Sequence, residues 1–253
     1  MNITIVGAGL GGLMLASVLR RNGLHATVLD LDASPAARPG RHAGHHEESG
    51  QAALRAAGLY DPFLDLVHPG GEAPRVLDRH GTVRLSEEDD GTGSRPDVEQ
   101  GELRELSPLP EGTIRWGAKV VSARPLDGGR HQVQLADGST LGTDVLVGAD
   151  GAWSRVRQLL SPAVPTYTGI SFVELDLRAA DERHPACAAL VGGGMFMALG
   201  PEKGFFAHRE PDGSLHVYVA LTVPETWAAG VDFSSARAVE EELLVRFAGW
   251  ARN

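Results

Sequence analysis

The sequence predicts an α/β fold in which a parallel βαβ core opens the chain and an antiparallel, β-rich region follows. Three observations predict it. Asn2 to Val6 is a short β-branched run that enters a glycine turn, a helical apolar spacing and a second strand. Asp144 to Gly148 is another short apolar run, and it enters an Asp-Gly pair. Beyond Pro165, apolar and polar residues alternate between turns rich in Pro, Asp and Gly.

The elements follow in order. Asn2 to Val6, with few polar side chains, reads as a parallel strand buried on both faces. Gly7 to Gly12 make a turn, and from Leu13 to Asn22 the spacing of Leu13, Ala16 and Leu19 predicts a helix that Gly23 ends. His25 to Asp30 is the second strand, closed by an acid. Ala33 to Ser49 lacks periodicity and reads as loop, and Gln51 to Ala57 as a short helix ended by Gly58. Arg75 to Leu85 alternates around His80-Gly81, which predicts a hairpin, and the acidic tract Glu87 to Gly93 reads as a solvated loop. Glu99 to Leu106 begins a helix that Pro108 cuts short. Strands are predicted at Thr113 to Trp116, Lys119 to Ala123, Arg130 to Leu135 and Asp144 to Gly148, then a helix from Ser154 to Leu160. Ile170 to Arg178, Gly194 to Leu199, Gly204 to Arg209 and Ser214 to Val223 form the antiparallel sheet, and Ala236 to Trp250 returns to helical spacing.

Composition narrows the function classes. With 253 residues, 42% of them hydrophobic, the chain can bury a sizeable core. A formal charge of −10 without a basic block argues against nucleic acid and anionic membrane as partners and favours a small molecule. One cysteine, Cys187, allows no internal disulfide. The chain opens on a strand rather than a charged leader, so a cytoplasmic location is expected. No apolar run approaches the roughly 18 to 20 residues of a membrane helix.

Gly7-Ala8-Gly9-Leu10-Gly11-Gly12 satisfies G-x-G-x-x-G directly between a strand and a helix. Gly7 permits the tight turn, Gly9 lets backbone approach a pyrophosphate, and Gly12 allows close helix packing. The helix N-terminus offers amides and partial positive charge to that anion. Asp30 lies 18 residues beyond Gly12, where an acid accepts hydrogen bonds from ribose hydroxyls and disfavours a 2′-phosphate. The site is therefore expected to take FAD or NAD rather than NADP. A second constellation runs from Asp144 through Gly148-Ala149-Asp150-Gly151 to Ser154 and Arg157. Gly151 brings backbone to a ligand and Asp150 accepts hydroxyl hydrogen bonds; an Asp-Gly turn capping a helix is the structural alternative.

With these two fingerprints and Gly101-Glu102-Leu103-Arg104, the chain resembles the FAD-dependent aromatic-ring monooxygenases of the para-hydroxybenzoate hydroxylase-like fold. Glu48-Ser49-Gly50-Gln51 and the residues to Leu59 liken it to the tetracycline-inactivating branch. The resemblance implies a Rossmann-like FAD/NAD(P)-binding domain with an inserted antiparallel β-sheet substrate domain. Its bounds are residues 1–162 with a hairpin insertion at about 70–98, residues 163–235, and a terminal helix at 236–253. It assigns cofactor contacts to Gly7, Gly9, Gly11, Gly12, Asp30, Arg104, Val120 by its backbone at the adenine, Asp150 and Gly151. It further implies that NADPH or NADH reduces FAD, that a flavin hydroperoxide hydroxylates an aromatic or polyketide-like substrate, and that no catalytic side chain is needed. Phe172, Met195, Phe196, Met197, Phe205 and Phe206 suit an apolar substrate wall, and His208, Arg209 and His216 are candidate substrate contacts.

Two departures qualify this. Ala43-Gly44-His45-His46 stands where relatives carry an aspartate-centred L-D-L-H; His42, His45, His46, Glu47 and Glu48 read as a polar loop rather than a metal site. Relatives continue into a G-D-A-A-H strand with no equivalent after Trp250, so the chain is expected to be truncated C-terminally, with a second polypeptide as one source of the remainder. A flavin- or ligand-binding module without turnover is the alternative function. An NAD-dependent dehydrogenase is disfavoured because no Ser-Tyr-Lys or His-based relay is present.

Overall fold

A computed structural model describes residues 1–37, 42–44, 47–67, 70–89, 91, 93, 96–107 and 109–251. The histidine cluster at His45 and His46, the side chains of His42 and Glu47, part of the acidic tract, and Pro108 lie outside the described residues. The chain forms two compact units, Met1–Val67 with Ser94–Pro165, and His68–Gly93 with Thr166–Asn253.

The first unit is built on β1 (Ile3–Val6), α1 (Leu10–Arg21) and β2 (Ala26–Leu29). β1 is central in a parallel sheet ordered Val145–Gly148, β1, β2, Ile114–Arg115. Alternation sends Ile3, Ile5 and Val28 to α1, where Leu13 and Ala16 meet them. Val6 and Leu29 pack on the other side with Val120, Val133 and Leu135. Both faces are thus covered, which is why β1 carries almost no polar side chain. Each fully buried Ile5, Val28 and Leu29 contributes roughly 1.5–3 kcal/mol. α1 ends as its sequence requires: Gly23 takes φ +74°, its N–H donates to Arg20 O at 2.9 Å, and the Leu24 N–H donates to Leu19 O at 3.0 Å.

Asp144 aligns the strand that follows it with β1, because its Oδ2 accepts the Asn2 N–H at 2.7 Å. That backbone bond, with the Arg130 guanidinium, holds the Asp144 carboxyl below the usual carboxylate range despite some desolvation. A strand absent from the sequence reading, Thr140–Thr143, pairs antiparallel with His131–Leu135, which pairs with Val120–Pro125. The helix expected from Ser154 to Leu160 is a single 3-10 turn at Arg157–Leu159. The Asp150 carboxylate accepts the Ser154 hydroxyl and the Arg155 N–H, which holds the chain in a tight turn where a helix would have to begin.

The second unit is a six-stranded sheet ordered Ile170–Leu177, Leu215–Thr222, Lys203–Arg209, Met195–Gly200, Pro74–Asp78, Val83–Ser86. The expected hairpin is its last two strands, so residues read as an insertion in the first domain pair with the second unit's sheet. The neighbours are antiparallel except Met195–Gly200 with Pro74–Asp78, which is parallel. Helices Ala180–Arg183 and Pro185–Val191, not foreseen from sequence, and Ala236–Arg246 pack on one face. Arg75 and Arg209 donate to carbonyls at the end of Pro185–Val191, from Ala188 to Gly192, which satisfies that helix terminus.

Asp78 closes the hairpin. Desolvation raises its carboxyl, but the Thr82 and His80 amides and the Arg84 guanidinium outweigh this and lower it to about 2. A depressed carboxylate contributes stability above its unfolded pKa of about 3.9, and the contribution disappears as pH falls through the folded value. Acid titration followed by amide NMR is therefore expected to keep Thr82 and His80 protected at pH 4 and release them near about pH 2. Release near the unfolded value contradicts this. No helix among the described residues is long and apolar enough to cross a membrane.

Candidate functional site

The glycine turn divides its four glycines by purpose. Gly7 takes φ +105°, its N–H donates to Leu29 O at 2.7 Å, and a Cβ there would lie 2.3 Å from Ala149 O. A Cβ on Gly12 would lie 1.9 Å from Gly7 O. Both are glycine because β1, α1 and the Gly148-Ala149-Asp150 segment meet there. Gly9 differs: it has φ −71° and ψ 177°, an ordinary extended conformation, and a Cβ would meet nothing within 4 Å. Gly11 also opens onto space. Among the described residues no side chain caps α1, and no acid sits in its first turn. The first amides and the positive end of the helix dipole therefore face an opening that the chain's own packing does not require.

Asp30 ends β2 and is only 2% exposed. Its Oδ2 accepts the Ala8 N–H, and its Oδ1 accepts the Asp32 N–H at 2.9 Å. It braces the glycine turn from beneath. A cleft of about 720 Å³ begins at Ala8 and Leu13 and continues along Asp32, Ser34, Arg104 and Trp116. Asp32, Ser34 and Trp116 were not singled out from sequence; the signal available was their place just past two strands that end at one sheet edge.

Arg104 reaches the cleft from the helix Gln100–Glu105. Glu99 caps that helix, accepting the Gly101 and Glu102 N–H groups at 3.0 Å each, and buried Leu103 anchors it against Leu54 and Phe63. The Arg104 Nε is buried without a hydrogen-bond partner among the described residues. Four further carboxylates, on Glu99, Glu102, Glu105 and Glu111, line the same cleft. Val120 packs its side chain in the core with Val6 and Leu29 and is not among the cleft-lining residues.

Asp150 follows the strand beside β1, and a Cβ on Gly7 would lie 3.1 Å from its Cα, so the two fingerprints meet at one sheet edge. Its carboxylate is engaged locally, by Ser154 Oγ at 2.6 Å and the Arg155 N–H at 2.7 Å. This is the capping-turn geometry that the sequence left as an alternative. Gly151, at φ +74°, again has open space at its Cβ position.

In the second unit, strand register sorts the apolar wall residues. Phe172, Met195, Met197 and Phe206 point to the face opposite the helices, whereas Phe196 and Phe205 pack with the helices. His208 and His216 share the helix-free side of the register; Arg209 binds Asp181 and the helix end on the other.

A parallel βαβ sheet edge with an open glycine turn and a braced acid defines a dinucleotide-binding α/β protein. The chain belongs to the FAD binding domain family, whose model matches residues 1–222. It is 35% identical over 239 residues to the monooxygenase asqM of Emericella nidulans, a match covering 87% of this chain and 54% of asqM. Its fold resembles HpxO of Klebsiella pneumoniae, solved with FAD and uric acid, at a TM-score of 0.75 and 22% identity, covering 99% of this chain and 62% of that one. The tetracycline destructase Tet(51) matches at a TM-score of 0.60 and 16% identity, over 98% of this chain and 63% of its own. The chain spans about half the length of the curated relatives it matches.

The residues present fit FAD. Gly9 and Gly11 leave a cradle that a Cβ would fill, and Arg104 keeps a buried donor that the described residues do not satisfy.

Proposed function

We propose that this chain is the FAD-binding and substrate-binding part of an FAD-dependent monooxygenase that hydroxylates an aromatic or polyketide-like small molecule with NAD(P)H and O2. The observation that carries the reading is the open turn at Gly9, where nothing among the described residues lies within 4 Å of the Cβ position and the first amides of α1 stand without a side-chain cap. The diphosphate lies against Gly9, Gly11 and the first amides of α1, with Gly7 and Gly12 shaping the turn. Ribose hydroxyls are assigned to Asp32 in the cleft wall, with Asp30 behind it bracing the glycine turn. The carboxylates around the cleft accept hydrogen bonds from neutral hydroxyls and repel a 2′-phosphate, which favours FAD over NADP here. Arg104 donates to a phosphate or to the flavin edge, the Val120 backbone meets the adenine, and the Asp150-Gly151 turn borders the ribityl chain. Bound FAD, reduced by NAD(P)H, supplies the oxygen chemistry. The aromatic face of the second unit orients the substrate. The single cysteine leads us to place the protein in a reducing cytoplasm.

The test is to purify the chain, add FAD, and measure bound flavin together with NADPH oxidation in the presence of a set of phenols. Bound flavin with phenol-stimulated oxidation and a hydroxylated product is expected. Bound flavin without stimulated oxidation would instead identify a flavin-binding module, and tighter binding of NAD than FAD would identify a different class of enzyme.

A further inference from the structure

The six-stranded sheet has two unlike faces. Helices cover one, burying Val173, Phe196, Ala207, Leu215 and Val219. Alternation sends Phe172, Asp176, Phe206, His216 and Tyr218 to the other. Phe172 is 54% exposed there, and its ring meets Phe206 and Tyr218 edge to face at centroid distances of 6.3 and 6.1 Å. Such a cluster presents ring edges and faces on which an aromatic ligand packs.

Asp176 and His216 are direct cross-strand partners. His216 Nδ1 lies 2.6 Å from Asp176 Oδ1. A carboxylate at this distance accepts an N–H, so Nδ1 carries a proton, and in the neutral ring Nε2 then carries the lone pair. Nε2 is buried and has no hydrogen-bond partner among the described residues. The His216 side chain as a whole is 19% exposed, and the Tyr218 ring stands edge to face with it at 4.6 Å. An acceptor held in place and left unmet by the described residues points to a donor on a ligand.

We infer that His216, oriented by Asp176, is the base that takes the proton of an acidic hydroxyl, a phenol or an enol, on a ligand packed against Phe172, Phe206 and Tyr218. The inference rests on the monooxygenase reading for its place in a reaction, and on the dyad alone for its chemistry. One proton moves: the ligand O–H bond breaks, an N–H bond forms at Nε2, and the electron pair stays on the ligand oxygen. No electron is gained or lost. The Asp176 carboxylate balances the imidazolium. The resulting phenolate or enolate pushes electron density onto ring or enol carbon, which raises its nucleophilicity toward an electrophilic oxygen. The titratable groups around the dyad are Asp176 and Glu174 on one neighbouring strand, His208 on the other, and Tyr218 on its own.

The test uses the chain loaded with FAD, with 4-nitrophenol and 7-hydroxycoumarin as probes whose anions absorb separately from the neutral phenols. Histidine 15N NMR is expected to show His216 with Nδ1 protonated and Nε2 bare, and Nε2 protonated once a probe binds. Below the probe's own pKa, the bound probe is expected as the anion, and His216→Gln is expected to lower the ratio of bound anion to bound neutral probe at least about tenfold. Asp176→Asn is expected to change the tautomer, and both variants to keep the parent's FAD affinity. A protonated Nε2 in the neutral ring, an unchanged anion ratio in His216→Gln, or no binding of either probe overturns the inference. A chain that takes no FAD overturns the flavoprotein reading instead, and the tautomer measurement, which needs no flavin, still decides the dyad.

Discussion

A chain carrying Gly9→Val is expected to fold as the parent does and to lose FAD. Gly9 already occupies extended backbone at φ −71° and ψ 177°, a region that valine prefers. Its Cβ position has nothing within 4 Å, so neither strain nor collision opposes the change. Losing a good N-cap residue costs about 1 kcal/mol. The branched side chain would stand where the diphosphate must approach the first amides of α1. An FAD dissociation constant raised at least about 100-fold is expected, about 2.7 kcal/mol of binding. Flavin fluorescence titration beside a thermal melt checks both halves. An unfolded variant, or one binding FAD like the parent, contradicts the assignment of that space.

Gly12→Ala is expected to do the reverse and damage the fold. The new Cβ would lie 1.9 Å from Gly7 O, and the turn has no room to retreat, because Gly7 itself is wedged with its Cβ direction 2.3 Å from Ala149 O. Both obstacles are backbone atoms. Relief requires moving α1 away from the sheet, at the expense of the Ile5, Leu13, Ala16 and Val28 contacts. A loss of about 3 kcal/mol or more is expected, from overpacking combined with lost core contacts. Urea denaturation reads it as a lowered midpoint with an unchanged slope. A variant as stable as the parent would show that the helix and the turn are less closely packed than described.

These two glycines, three residues apart in one motif, show what the sequence could and could not convey. The pattern G-x-G-x-x-G, the acid at Asp30 and the run ending in Asp150 were legible because each depends on neighbours within a strand or turn. The same local logic hid the role of Asp150. A carboxylate four residues before a serine serves a turn as well as a ligand, and the structure engages it with Ser154 and Arg155. The sequence grouped Phe196 and Phe205 with Phe172, Met197 and Phe206 in one wall, because which parity faces the helices depended on helices at Ala180–Arg183 and Pro185–Val191 that are too short to show a period. The parallel pairing of Pro74–Asp78 with Met195–Gly200, and the opposition of Asp176 and His216, join residues far apart in the chain. No pattern in a single sequence encodes such a register.

Asp32 shows a similar limit. Its type and position resemble Asp30, yet Asp30 turns inward to the Ala8 amide while Asp32 lines the cleft. Only the direction of the chain as it leaves β2 separates a brace from a wall residue.

The flavoprotein account is tested most directly by equilibrium dialysis of the parent chain and Gly9→Val against FAD, with NAD as comparator, on samples shown to be folded by circular dichroism. The account predicts FAD retained by the parent, in preference to NAD, and absent from the variant. A folded parent that retains no FAD, or a variant that retains as much as the parent, would contradict it.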